Sequence, residues 1–177
     1  MKENLNGIQN EVMEKKRKYI RHYEETAFIP SSAEQVFSYA DNFDNFSSHM
    51  NNSSWMMGGG KMKTEVDEGR GQKIGSHIRM NGKVFGINLY LDEVITKHEV
   101  PHYKEWHTVG KINLIVIDHY TLGYETTTEN NGCKIKVFID YNLPSSPATY
   151  WLGLLFGEMY AKWCVKQMIN GVKVHFK

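Results

Sequence analysis

Between Lys61 and Leu143 the apolar residues recur with a period of two. This spacing limits the fold more than any other feature, because side chains alternate between two faces in a strand and not in a helix. The candidate strands are Met62 to Asp67, Lys73 to Met80, Val84 to Thr96, Tyr103 to Val109, Leu114 to Thr127 and Cys133 to Leu143. Turn-forming residues separate them: Glu68-Gly69-Arg70-Gly71, Asn81-Gly82, Val100-Pro101, Gly110-Lys111 and Asn130-Asn131-Gly132. Of these, Asn81-Gly82 is the strongest two-residue hairpin signal. Short turns between consecutive strands imply an antiparallel meander, since parallel neighbours need long crossovers.

The flanks follow other rules. Tyr19 to Ile29 is rich in aromatic and β-branched residues and reads as a strand stopped by Pro30. Ser31 and Ser32 stand three residues before Glu34 and Gln35, the pattern of a capping box. Ala33, Val36, Phe37 and Ala40 then recur at helical spacing, so a short helix runs from Ser32 to about Asp41. Phe43, Phe46 and Met50 extend it as a second short helix, capped by Asp41 or Asn42. Three glycines in Asn51 to Gly60 place Trp55, Met56 and Met57 in or beside a loop. After Pro144, Ser145 or Ser146 caps a long helix from Pro147 to about Asn170. Its apolar stripe is Leu152, Leu155, Phe156, Met159 and Trp163, with Glu158 and Lys162 paired on another face.

A chain of 177 residues suits one domain, here residues 19–177 behind an extension at 1–18. Formal charge is only +1, so no global field draws the chain to nucleic acid or an anionic membrane. Met1 to Ile20 carries Glu3, Glu11 and Glu14 and has no apolar signal core. Tyr150 to Phe156 is the longest apolar stretch and is far too short to span a bilayer. Cys133 and Cys164 show no metal or redox spacing. These features imply a reduced, cytoplasmic protein with no stable membrane insertion.

Motif-like strings carry little chemistry. His98-Glu99-Val100-Pro101-His102 matches a zinc-protease pattern in letters, but that chemistry needs a helix to set both imidazoles on one face. Pro101 and the strand-like flanks deny it one, and the segment reads as a turn with exposed histidines. Gly153 and Gly157 form GxxxG, read as close packing of the helix against the sheet. Gly69, Gly71 and Gly75 lack the dinucleotide spacing, and Gly58-Gly59-Gly60 precedes a strand, not a phosphate-binding helix. Neither a metal nor a cofactor is implied.

The order of elements, the entry Ile29-Pro30-Ser31-Ser32-Ala33-Glu34-Gln35-Val36-Phe37 and the long closing helix resemble the helix-grip (SRPBCC) superfamily. Its members include START-like lipid-transfer domains, birch-pollen-allergen-type proteins and polyketide cyclase/dehydrases. Residues 47–62, 75–86 and 137–144 are similar to an uncharacterised bacterial branch. The resemblance implies an α+β fold: a seven-stranded curved antiparallel sheet wrapped around a long C-terminal helix, with two short helices after the first strand. It also implies a cavity between helix and sheet.

On that expectation the inward residues either fill a solid core or line a site of a few hundred Å³. The ligand-lining candidates are Ile78, Met80, Leu89, Leu91, Trp106, Tyr120, Tyr124 and Tyr141 on the strands. Phe156, Met159 and Trp163 add the helix, and Trp55 and Met57 add a loop that gates the site. His49, Tyr120 and Tyr124 are the candidate catalytic groups, with Ser76 a further polar neighbour, whereas His77 and Arg79 face solvent. The leading expectation is binding or transport of a hydrophobic small molecule such as a lipid, isoprenoid or polyketide-like compound. The alternatives are a cyclase/dehydratase-type enzyme using a pocket Tyr or His, and a non-catalytic module that binds a protein partner.

Overall fold

A computed structural model describes residues 21–46, 62–84 and 86–177. In chain order these form β1 (Arg21–Ile29), α1 (Ala33–Asp41), α2 (Phe43–Phe46), β2 (Met62–Val66), β3 (His77–Val84), β4 (Ile87–Glu99), β5 (Tyr103–Thr108), β6 (Tyr120–Glu129), β7 (Gly132–Tyr141) and α3 (Pro147–His175). One seven-stranded sheet has the order β1-β7-β6-β5-β4-β3-β2, antiparallel throughout. Its inner face packs on α1 and α3, which is where the apolar core lies. The capping box forms as the sequence predicts: Gln35 N donates to Ser32 Oγ at 3.3 Å, and Ser32 N donates to Gln35 Oε1 at 3.4 Å. Asn42 caps α2 by accepting from Asp44 N at 3.0 Å.

Three expectations shift. Asn81-Gly82 is not the hairpin turn: β3 continues through it until Val84 pairs with Ile87, and Gly86 supplies the positive φ of 81°. Continuing the strand puts Val84 on the same face as Ile78 and Met80, and all three are buried. The strand expected from Leu114 starts only at Tyr120. Residues 113–118 instead run as a connection under the first half of α3. There a Cβ on Gly153 would lie 2.4 Å from Pro144 Cδ, and one on Gly157 would lie 2.8 Å from the Val116 carbonyl oxygen.

The helix stripe is the third correction. α3 runs past Asn170 to His175, and its buried face is Gly153, Gly157 and Ala161, then Val165, Ile169 and Val172. Leu152, Leu155, Phe156 and Met159 point outward instead; Leu155 is 68% exposed. Close approach to the 113–118 connection selects the small residues for the inner face and leaves the bulky ones outside. Among the described residues, no helix is long and apolar enough to cross a membrane.

Candidate functional site

A cavity lies between the sheet and α3. The strands line it with Ile78 and Met80 (β3), Leu91 and Glu93 (β4), and Trp106 (β5), and α3 closes it with Tyr160, Cys164 and Met168. Alternation explains the inward set. On β4, Leu91, Glu93 and Ile95 share one face; on β5, Lys104 and Trp106 share one. Two charged residue types therefore enter an otherwise apolar space.

Glu93 is 3% exposed. Tyr120 donates to its Oε1 at 2.5 Å, and Trp106 Nε1 donates to the same oxygen at 3.1 Å. Oε2 is buried and has no hydrogen-bond partner among the described residues. Burial pushes the Glu93 carboxyl up to about 7, partly opposed by the Tyr120 and Trp106 hydrogen bonds. Burial likewise raises the Tyr120 and Tyr160 hydroxyls well above the usual tyrosine value and pushes the Cys164 thiol up to about 12. Near neutral pH, Glu93 is thus the group of this cluster that changes charge.

The second polar group is Lys104. Its Nζ donates to Asp41 Oδ1 at 2.6 Å and to the Asp41 carbonyl at 3.1 Å, where α1 ends. No basic residue stands in the last turn of α1, so Lys104 brings the cation that a helix C-terminus favours. Burial lowers the Lys104 pKa and the Asp41 pair opposes that shift. His98 Nε2 lies 2.9 Å from the same carboxylate oxygen. A bulge puts it there: pairing passes from Ile95–Trp106 to Lys97–Glu105, so Thr96 is the extra residue and the inward parity changes. His98 therefore turns in while Lys97 and Glu99 stay exposed. This corrects the expectation of two exposed histidines in the turn; only His102 is exposed. No group of three metal-binding side chains gathers among the described residues.

No protein-family model matches the chain, and no curated protein matches it. Solved structures do. The aromatase/cyclase ZhuI from a Streptomyces species aligns at 12% identity over 88% of this chain and 92% of that one, with a TM-score of 0.64. A Thermus thermophilus protein aligns at 13% identity over 86% and 94%, TM-score 0.62. Major latex-like protein 151 from Panax ginseng aligns at 15% identity over 88% and 97%, TM-score 0.53. The chain has the helix-grip fold.

Within the helix-grip cavity the sequence-derived candidates separate. Ile78, Met80, Leu91, Trp106 and Tyr120 line it. Tyr124 and Tyr141 are buried outside its wall; the Tyr124 ring packs against Phe37 at 5.2 Å and Trp106 at 6.4 Å. Leu89 and Trp163 are half-buried against the core. Phe156 and Met159 face outward and take no part in the wall. Ser76 is buried elsewhere and donates to Asp67 Oδ1 at 2.5 Å. His49, Trp55 and Met57 lie outside the described residues. The space open to water-sized molecules is about 40 Å³, not a few hundred. Phe43, Met80 and Met168 are among the bulky side chains that line it.

Sequence reasoning did not single out Glu93 or Lys104, and it read Asp41 only as a helix-cap candidate and His98 as an exposed turn histidine. Period two places Glu93 with Leu91 and Ile95, and Lys104 with Trp106, so a signal for the first two was present. Nothing local signalled the inward placement of Asp41 and His98, because one ends a helix and the other sits beyond a bulge.

Proposed function

We propose that this protein binds a hydrophobic or amphipathic small molecule, of lipid, isoprenoid or polyketide type, in the cavity between the sheet and α3. The observation that carries the reading is the apolar cavity with a buried, half-satisfied carboxyl group in its wall. Buried polar groups are normally satisfied, so an unanswered oxygen on a residue that lines this space favours a role for it. At about 40 Å³ the cavity holds a few waters at most. A ligand displaces Met80 and Met168, whose unbranched side chains repack at low cost. Apolar burial contributes roughly 25 cal/mol per Å² before ordering costs are subtracted. In this reading residues 19–177 form one cytoplasmic domain, with 1–18 as an extension.

One observation favours a second reading, catalysis of cyclase or dehydratase type: a carboxyl held at about 7 exchanges a proton readily at neutral pH. In that case Glu93 takes the acid–base role first assigned to tyrosine or histidine.

Native mass spectrometry of the purified protein, followed by organic extraction, tests the first reading. A stoichiometric hydrophobic species released on denaturation is expected. Leu122→Trp, which fills the cavity from β6, abolishes that species while the fold survives. A species retained by Leu122→Trp would place the ligand elsewhere.

A further inference from the structure

The polar groups of the cavity wall specify more than hydrophobicity. Both described donors to Glu93, the Tyr120 hydroxyl and Trp106 Nε1, converge on Oε1. A proton on this carboxyl therefore sits on Oε2, the oxygen without a partner among the described residues. An anionic Glu93 would leave a bare, buried charge on that oxygen, the costliest state available to it. As the neutral acid it instead presents an O–H donor to the cavity. The other charge in the wall is already answered, because Lys104 is held by Asp41 at 2.6 Å and is 4% exposed. No cation among the described lining residues is left over to receive an anion. Of the remaining wall, Ile78, Leu91 and Leu122 are apolar, and the Tyr160 hydroxyl and Cys164 thiol are hydrogen-bonded to each other.

We infer that the ligand is an uncharged molecule, otherwise apolar, that presents one acceptor oxygen of carbonyl type to the Oε2–H of Glu93. The inference rests on the reading of this cavity as a binding site. A ligand carboxylate would bring a second acid against Glu93 with no cation to balance it. A plain hydrocarbon would leave the O–H unanswered, and a carbonyl satisfies it.

Three probes of similar shape separate these cases: naphthalene, 2-acetylnaphthalene and 2-naphthoate, titrated against the full chain at pH 6 by calorimetry. We expect 2-acetylnaphthalene to bind about fivefold more tightly than naphthalene, the worth of one added hydrogen bond, and 2-naphthoate to bind more weakly than either. Glu93→Gln keeps the carbonyl preference, since its amide N–H replaces the acid O–H while its carbonyl still accepts from Tyr120 and Trp106. Glu93→Leu loses the preference. Raising the pH to 8.5 erodes the preference in the parent protein and not in Glu93→Gln. Of the ionisable groups acting on Glu93, Tyr120, Tyr160 and Cys164 stay protonated over that range. Asp92 is paired on the outer face with His77 and Arg79, an effect that Glu93→Gln shares and so cancels. Equal affinity for naphthalene and 2-acetylnaphthalene, or tightest binding of 2-naphthoate, overturns the inference alone. Failure of all three probes to bind overturns the cavity reading beneath it.

Discussion

Tyr120 reaches from β6 across the cavity wall to β4 and donates to Glu93 Oε1 at 2.5 Å. The pair joins strands that are not neighbours in the sheet, so it depends on the fold being complete. The carboxyl is held at about 7 against an ordinary value of 4.5. The folded protein therefore keeps this proton over a range where the unfolded chain releases it. The resulting stabilisation is fully present below pH 4.5 and is lost as pH rises through 7. It amounts to about 3 kcal/mol. Glu93→Gln removes it, so the stability difference between parent and variant should change by that amount between pH 4.5 and 8 in urea unfolding. A pH-independent difference would show that Glu93 titrates normally.

Removing the phenol should move this titration. The Tyr120 hydrogen bond pulls the Glu93 carboxyl down against the larger effect of burial. Tyr120→Phe therefore shifts the midpoint of the same difference curve upward by roughly one pH unit, as expected for losing one hydrogen bond to a charged group. A downward shift would mean that Tyr120 favours the neutral acid.

The Lys104–Asp41 pair should be expensive to split. Lys104 Nζ has its carboxylate at 2.6 Å and is 4% exposed. Asp41→Asn leaves the ammonium buried without its counter-charge, at a cost of about 3 to 5 kcal/mol. The double variant Asp41→Asn, Lys104→Met removes the stranded charge and should recover most of that loss. Denaturant unfolding of the set checks both statements. An Asp41→Asn protein within about 0.5 kcal/mol of the parent would mean that water reaches Lys104.

What could be read ahead of the structure follows from how far each signal acts. Alternation acts locally, so the strands of the meander and the inward placement of Ile78, Met80, Leu91 and Trp106 were legible. The same rule put Glu93 beside Leu91 and Lys104 beside Trp106. They were passed over because charged side chains are ordinarily exposed, and only long-range partners make their burial tolerable. The outward stripe of α3 misled for a related reason. Hydrophobicity points to the core only when the inner surface has room, and here the 113–118 connection approaches so closely that glycine and alanine take the inner positions. The cavity is bounded by side chains brought together from separate elements, Met80 of β3 and Met168 of α3 among them, which no local pattern encodes. Gly82 looked like a turn residue, yet it sits mid-strand opposite Met62 and Leu89, because the register is set by burying Val84.

Two glycines of α3 put that account of the helix to the test. A Cβ at Gly157 would lie 2.8 Å from the Val116 carbonyl oxygen, a backbone atom that cannot rotate aside. Gly157→Ala must push the helix off the 113–118 connection and should cost about 1 to 3 kcal/mol. Gly171 lies in the same helix with nothing within 4 Å of a Cβ. There alanine lowers the entropy of the unfolded chain and improves helix propensity at no steric cost, a gain of up to about 1 kcal/mol. Urea unfolding of the two variants should therefore move in opposite directions. If Gly157→Ala also stabilised, the first half of α3 would not be seated on Val116, and the small-residue face would have no packing role.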